Sequence, residues 1–305
     1  MATRNNIMSL SEASKIASYS LQQPDHPEVE LAQAEHRIRL VNLWDIAPGS
    51  RVLELGCGQG NATAVLAHAV GPQGHVDAVD PGALDYGAPF TLAQSQDYLS
   101  HSAVGDRISW HQATPEKFLK QTNEGEKWDV AVLAHCTWYF DSPLVLLSIF
   151  LALQGRVKRL CIAEYAMHAT EKAAVPHVLA VLARSTLESF KEESSENVRS
   201  PFSPSRIKGI AEEATWEVIG DEHTLVPEPG LLDGSWEVGT VKSKGFAEEI
   251  RQSIDSLRVR LVVDTARDAV LAAVDNLKGE KVRTMDVWTA TFGENWEIDV
   301  EDERL

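Results

Sequence analysis

Apolar positions along this chain recur first at helical spacing and then at alternating spacing, and the two patterns take turns. From Glu28 to Ile46, the residues Leu31, Ile38, Leu40, Val41 and Leu43 predict a helix. Pro48-Gly49 ends it, and Arg51 to Leu55 is a short run with β character. The pattern then predicts a helix from Asn61, a strand His75–Val79, a helix Thr91–Leu99, a strand Ile108–His111 and a short helix from Pro115. A strand Trp128–Leu133, a helix Pro143–Leu153 and a strand Val157–Ala163 follow. Strands alternating with helices in this way predict a parallel sheet covered on both faces, a doubly wound α/β domain.

Beyond Glu164 the spacing becomes more helical. Val175, Leu179, Leu182 and Phe190 predict one long helix, with Pro176 in the first turn, where its missing N–H costs nothing. Ser200 to Pro204 is expected as a loop, Trp216–Val226 as a strand, Phe246–Leu277 as a charged amphipathic helix and Thr284–Phe292 as the last strand. These add up to a mostly parallel seven-stranded sheet with helical N-terminal and C-terminal cover elements. We expect a single domain over 1–305, a flexible or lid-forming segment at 1–27 with Tyr19 and His26 as lid candidates, and a helical insertion at 228–282. The first residues, to about position 25, are polar with few periodic apolar positions, and the acidic tail after Phe292 is expected to be solvated.

Composition narrows the function classes. With 305 residues, 44% of them hydrophobic, the chain buries a sizeable core. No apolar run reaches the roughly 18 residues of a membrane span, and the first residues lack the apolar core of a signal peptide, so a cytoplasmic protein without a membrane partner is the default. Cys57, Cys136 and Cys161 are too scattered for a disulfide framework or a zinc site and read as buried thiols. A net charge of −17 repels a polyphosphate backbone, which argues against nucleic acid and favours a small molecule as partner. An oligomer stays open.

The strongest chemical signal is Glu54-Leu-Gly-Cys-Gly-Gln-Gly60 between a predicted strand and a predicted helix. Glycines at 56, 58 and 60 allow a tight turn and a close backbone approach to a ligand, and the helix beginning at Asn61 offers free N–H groups. A dinucleotide loop would need glycine where Asn61 stands, and no Gly-Lys-Ser/Thr follows for a Walker loop. Asp80 ends the next strand, where its two carboxylate oxygens are placed to accept from a ligand; Asp77 is its competitor but falls inside the strand. Trp110-His-Gln-Ala-Thr114 and Trp128 to Phe140 follow the third and fourth strands.

These motifs, in this order, resemble the class I S-adenosylmethionine-dependent methyltransferases, in particular the small-molecule enzymes of secondary metabolism. The resemblance covers roughly residues 30 to 165 and, more loosely, Ser203–Val226 and the terminal strand. It implies S-adenosylmethionine as cofactor, held by Glu54, Gly56, Cys57, Gly58, Gly60, Asn61, Asp80, Gln112, Ala113 and Ala134. Gln112 stands where such enzymes usually carry an acid beside the adenine, and its amide still accepts and donates there.

Methyl transfer from a sulfonium requires mainly that acceptor and methyl be held collinear in a dry pocket. His135, in the loop after the fourth strand, is the candidate base, or else a hydrogen-bonding residue only. Trp138, Tyr139, Glu164 and Tyr165 are candidate substrate contacts, although aromatic residues in such a loop are more often core. His36, Arg37 and Arg39 lie on the leading helix, which in such enzymes often packs over the cofactor, but they read first as solvated charge. The histidines lack metal-ligand spacing, so no catalytic metal is expected. The loop Ala134 to Thr137 does not match the Asn/Asp-Pro-Pro-Tyr/Phe motif for planar amino groups in DNA or protein amides. An oxygen acceptor is favoured because His135 supplies a base, with nitrogen next. A regulatory protein that only binds the cofactor, or a fold recruited to another reaction, stays open, since fold does not fix function.

Overall fold

The computed structural model describes residues 7–23, 26–123, 125–191 and 196–294. Its elements run α1 (Ala13–Ala17), α2 (Glu28–Trp44), β1 (Arg51–Leu55), α3 (Asn61–Val70), β2 (His75–Asp80), α4 (Leu92–Ser100), β3 (Ile108–Gln112), α5 (Pro115–Gln121), β4 (Trp128–Ala134), α6 (Pro143–Leu153) and β5 (Val157–Tyr165). Then come α7 (Val175–Glu188), α8 (Pro204–Glu213), β6 (Trp216–Val218), β7 (His223–Leu225), α9 (Asp233–Lys242), α10 (Lys244–Ser253), α11 (Leu257–Asp275) and β8 (Val287–Glu294). The βαβ alternation read from the sequence is present throughout the first half.

The strands line up as β3-β2-β1-β4-β5-β8-β6, with β7 also paired to β8. β1 to β5 are parallel, while β8 runs antiparallel to β5, β6 and β7. The sheet therefore has eight strands where seven were expected, because the segment expected as one strand over Trp216–Val226 is interrupted, Gly220 taking φ +79 between β6 and β7. Alternate side chains divide between two cores. Val130 and Val132 of β4 pack with α1, α2 and α3, whereas Ala131 and Leu133 pack with α5, α6 and α8. A third cluster joins α7, α9, α10 and α11 through Ala180, Leu187, Val241, Ile250, Val263 and Val270.

The structure adds detail to three further readings. The helix expected over Phe246–Leu277 is two helices: Ile254 is extended and buried, and the Ser256 hydroxyl accepts from Val259 N–H at 3.4 Å to start α11. The chain before position 25 is not free of core contacts. Ala13, Ile16 and Tyr19 are buried, and Tyr19 Oη lies 3.3 Å from His68 Nδ1 on α3. α8 was not foreseen, and α9 falls inside the helical insertion expected at 228–282 without having been picked out as a separate helix. The loop expected from Ser200 holds through the extended Ser203, and Pro204 already opens α8, with Ile207, Ile210 and Ala211 buried at helical spacing.

Strand order reverses beside β1: the chain moves outward through β2 and β3, then returns to place β4 on the other flank. In open α/β sheets ligands bind at the carboxyl ends of the strands at such a switch point. The glycine loop after β1 and the His135 loop after β4 both lie there.

Candidate functional site

The glycine loop is shaped by its backbone. Gly56, Gly58 and Gly60 take φ +77, +53 and +95, and Gly56 N–H and Cys57 N–H both donate to Val79 O, at 2.8 and 3.2 Å. A Cβ on Gly56 would lie 2.5 Å from Cys136 Cβ, so the β1 and β4 loops touch, whereas a Cβ on Gly58 would meet open space. Gly60 gives α3 no side-chain cap, so the N–H groups of its first turn are free for a ligand. Glu54, under the loop, accepts from Thr63 Oγ1 at 2.6 Å, and burial pushes its carboxyl up to about 8, the Thr63 bond opposing and the Asp80 charge adding. Asn61 Nδ2 donates to Glu30 at 3.1 Å.

The two carboxylates of β2 have separate surroundings. Asp80 accepts one backbone N–H on each oxygen, from Gly58 at 2.8 Å and from Gly82 at 2.7 Å. Each oxygen keeps a lone pair free. Gln112 is exposed beside it, its amide donating to Gly82 O at 3.1 Å, and Ala113 N–H donates to Asp80 O at 3.2 Å. Asp77, the competing candidate, is consumed by the fold: it accepts from Trp128 Nε1 at 2.8 Å and Arg51 at 3.1 Å and pairs with His111 Nε2 at 3.0 Å. Burial raises its carboxyl, but those three bonds more than offset this and hold it down at about 2.

A carboxyl held below its ordinary value near 3.8 stabilises the fold at neutral pH, and that contribution is lost as pH falls toward about 2. Asp77→Ala should therefore cost about 2 kcal/mol at neutral pH, read by urea denaturation. It should also flatten the fall of stability in acid, and an acid limb identical to wild type would contradict the assignment.

On the far side of the glycine loop lies a cavity of about 240 Å³, lined by Gln33, Arg37, Asn61, His135, Trp138, Tyr139, Glu164, Tyr165, Asn197, Val198, Asp233, Trp236 and Glu237. The residues singled out after β4 and β5 thus come together here, with Ala134 at the end of β4. His135 takes φ +55, unusual for a residue with a Cβ. Its Nε2 lies 2.9 Å from His36 Nε2, while its Nδ1 is buried without a hydrogen-bond partner, 3.7 Å from Glu164 Oε1. Glu164 accepts from Thr137 N–H and Oγ1–H at 3.0 and 2.7 Å and from Tyr165 N–H at 3.0 Å. Tyr165 donates its hydroxyl to Asp233 at 2.8 Å, and Trp138 lies against its ring, centroids 4.9 Å apart. Trp138 is buried, its indole N–H spent on Phe202 O at 3.2 Å, and Tyr139 is exposed at the rim.

The leading helix lies where the sequence predicted it, but its polar residues do not all face solvent. His36 and Arg37 are not solvated; they are 4% and 8% exposed, and burial, followed by the charge of Arg37, holds the His36 imidazole well below its ordinary value, hence neutral. Arg39 does reach an exposed partner, Glu228, at 2.9 Å. Gln33, Asn197, Asp233 and Glu237 were not foreseen. Glu237 is neutralised by Arg184 and accepts from Asn197 at 2.7 Å, whereas Asp233 has no cation within ion-pair distance among the described residues. The signal for α9 was a buried face of Gly234, Glu237, Val238 and Val241, hidden by glycine and by a charged core position. No helix among the described residues is long and apolar enough to cross a membrane. None of their His, Cys, Asp and Glu side chains form a group of three or more suited to a metal.

Comparison with known proteins agrees with this geometry. A family model described as a methyltransferase domain matches residues 29–219. The chain is 29% identical to Methyltransferase phomM and 30% identical to Methyltransferase phomM′, both from Diaporthe leptostromiformis, in each case over 84% of this chain and 82% of the relative. Among solved structures, a cyclopropane-fatty-acyl-phospholipid synthase-like protein from Lactobacillus casei superposes with a TM-score of 0.81 at 27% identity, covering 93% of this chain and all of that one. The open space at Gly58, the free lone pairs of Asp80 and the orphaned Arg37 Nε–H of the cavity fit S-adenosylmethionine. The glycine loop, the acid closing β2 and the strand order thus meet in one conclusion: the chain belongs to the methyltransferase domain family and is a class I S-adenosylmethionine-dependent methyltransferase.

Proposed function

We propose that the chain methylates a small-molecule acceptor, of the kind handled in secondary metabolism, held in the 240 Å³ cavity. The observation that carries this is the placement of the cavity, bordered by Asn61 at the glycine loop and enclosed by Trp138, Tyr139, Glu164 and Tyr165. When bound, the cofactor supplies an electrophilic sulfonium methyl. Glu54, Gly56, Cys57, Gly58, Gly60 and Asn61 would hold its amino-acid side, Asp80 the ribose hydroxyls, and Gln112, Ala113 and Ala134 the remaining edge. The chain's part in the reaction is then to exclude water and align the acceptor.

An oxygen acceptor suits His135, whose Nδ1 is free to take a proton beside the Glu164 carboxylate. A nitrogen acceptor is the second reading, favoured by the Asp233 carboxylate, which lacks a counter-charge, among the rings of Trp138, Tyr139, Tyr165 and Trp236. Mass-shift screening of hydroxyl and amine acceptors separates them. With a hydroxyl acceptor, His135→Gln should lower turnover about 100-fold and leave cofactor affinity nearly unchanged. A wild-type rate that does not vary across the neutral pH range would remove His135 as base. Cofactor binding with no methylated product from any class would leave a regulatory protein.

A further inference from the structure

Arg37 is a buried charge with no close ion pair among the described residues, although its field reaches the Glu30 and Glu54 carboxyls. It is 8% exposed, lines the cavity from α2, and among the described residues has no carboxylate within ion-pair distance. Its Nη1 donates to the Gln33 amide oxygen, while its Nε is buried with no partner. A buried, unpaired guanidinium destabilises a fold unless an anion completes it. Gln33 defines the geometry: with its oxygen turned to Arg37, its amide nitrogen points to Asp233 Oδ2 at 3.4 Å. A cation and an acid thus stand on either side of one amide, in a wall shared with Asn61 at the start of α3.

S-adenosylmethionine carries a single anionic group, the carboxylate of its amino-acid portion. Among the described residues, Arg37 is the cation lining this cavity that has no carboxylate within ion-pair distance, whereas Arg184, behind Glu237, is already paired with Glu237 and Glu196. Asp80, the acid closing β2, is across the glycine loop, so a cofactor with its ribose there would extend its other end toward Asn61 and Arg37. We propose that Arg37 is the anchor for the cofactor carboxylate, held in register by Gln33 through a planar guanidinium that meets a carboxylate with two parallel N–H donors.

The test compares S-adenosylhomocysteine, which has the carboxylate, with 5′-methylthioadenosine, which lacks the amino-acid portion. Calorimetry should show Arg37→Met weakening the former roughly 10- to 100-fold and the latter less than about twofold. Because the substitution removes an unpaired buried charge, the unliganded variant should melt no lower than wild type, and the rise in Tm given by S-adenosylhomocysteine should shrink. Should Arg37→Met fail to fold, Arg37→Gln serves in the same two titrations. Equal losses for both ligands would mean that Arg37 only shapes the site and would overturn the proposal. Unchanged binding of S-adenosylhomocysteine with a raised acceptor KM would also overturn it and move the carboxylate to the acceptor.

Discussion

Asp80→Ala is expected to lower the affinity for S-adenosylhomocysteine roughly 100- to 1000-fold while leaving a folded protein. Each oxygen of Asp80 already accepts one backbone N–H, from Gly58 and Gly82, and each retains one lone pair facing the carboxyl edge of the sheet. Two hydroxyls accepted by one charged group account for about 3–4 kcal/mol, at about 1.4 kcal/mol per tenfold in affinity. Asp80→Asn keeps one acceptor oxygen and should fall between. Calorimetry measures the effect, and a thermal melt separates it from loss of the loop that Asp80 braces. Unchanged affinity in a folded Asp80→Ala protein would reduce Asp80 to a brace and leave the ribose without its acceptor.

Gly56→Ala and Gly58→Ala should fail in opposite ways, although both glycines have positive φ, +77 and +53. A methyl on Gly56 meets Cys136 Cβ at 2.5 Å and Sγ at 2.9 Å, and Cys136 cannot swing aside without losing its 3.1 Å bond to Leu55 O. Backbone strain and overpacking together should cost about 3 kcal/mol, visible in urea denaturation without any ligand. A methyl on Gly58 meets nothing within 4 Å, so the strain alone remains, about 1 kcal/mol. That empty space is where the cofactor would approach the backbone, so Gly58→Ala should lose cofactor affinity while remaining nearly as stable as wild type. Wild-type binding by Gly58→Ala would place the cofactor away from this loop. A Gly56→Ala protein as stable as wild type would show that the β1 and β4 loops are not held in contact.

Legibility in the sequence followed the range of the interactions. β1 to β5 and α2 to α7 were found because each follows from local periodicity and nearby breakers; β4, for example, sends Val130 and Val132 to one core and Ala131 and Leu133 to the other. α9 was missed because two of its buried positions are Gly234, where a Cβ would lie 2.4 Å from Arg283 O, and Glu237, whose charge is met by Arg184 on α7. No apolar period marks such a helix. The split of α10 from α11 depended on one hydroxyl cap at Ser256, a signal easily overrun by the apolar rhythm on either side.

The sequence by itself determined the doubly wound sheet and the glycine loop and marked Asp80 at the strand end apart from Asp77 within it, because alternation, turn glycines and position along a strand are local properties of the chain. Only the tertiary structure decided that His36 and Arg37 face inward, that Gln33 meets Asp233 across 200 residues of sequence, and that His135 shares a hydrogen bond with His36. Helical periodicity assigns polar side chains to solvent, whereas a binding site turns them toward a ligand. Which polar face is turned inward depends on partners brought together by folding.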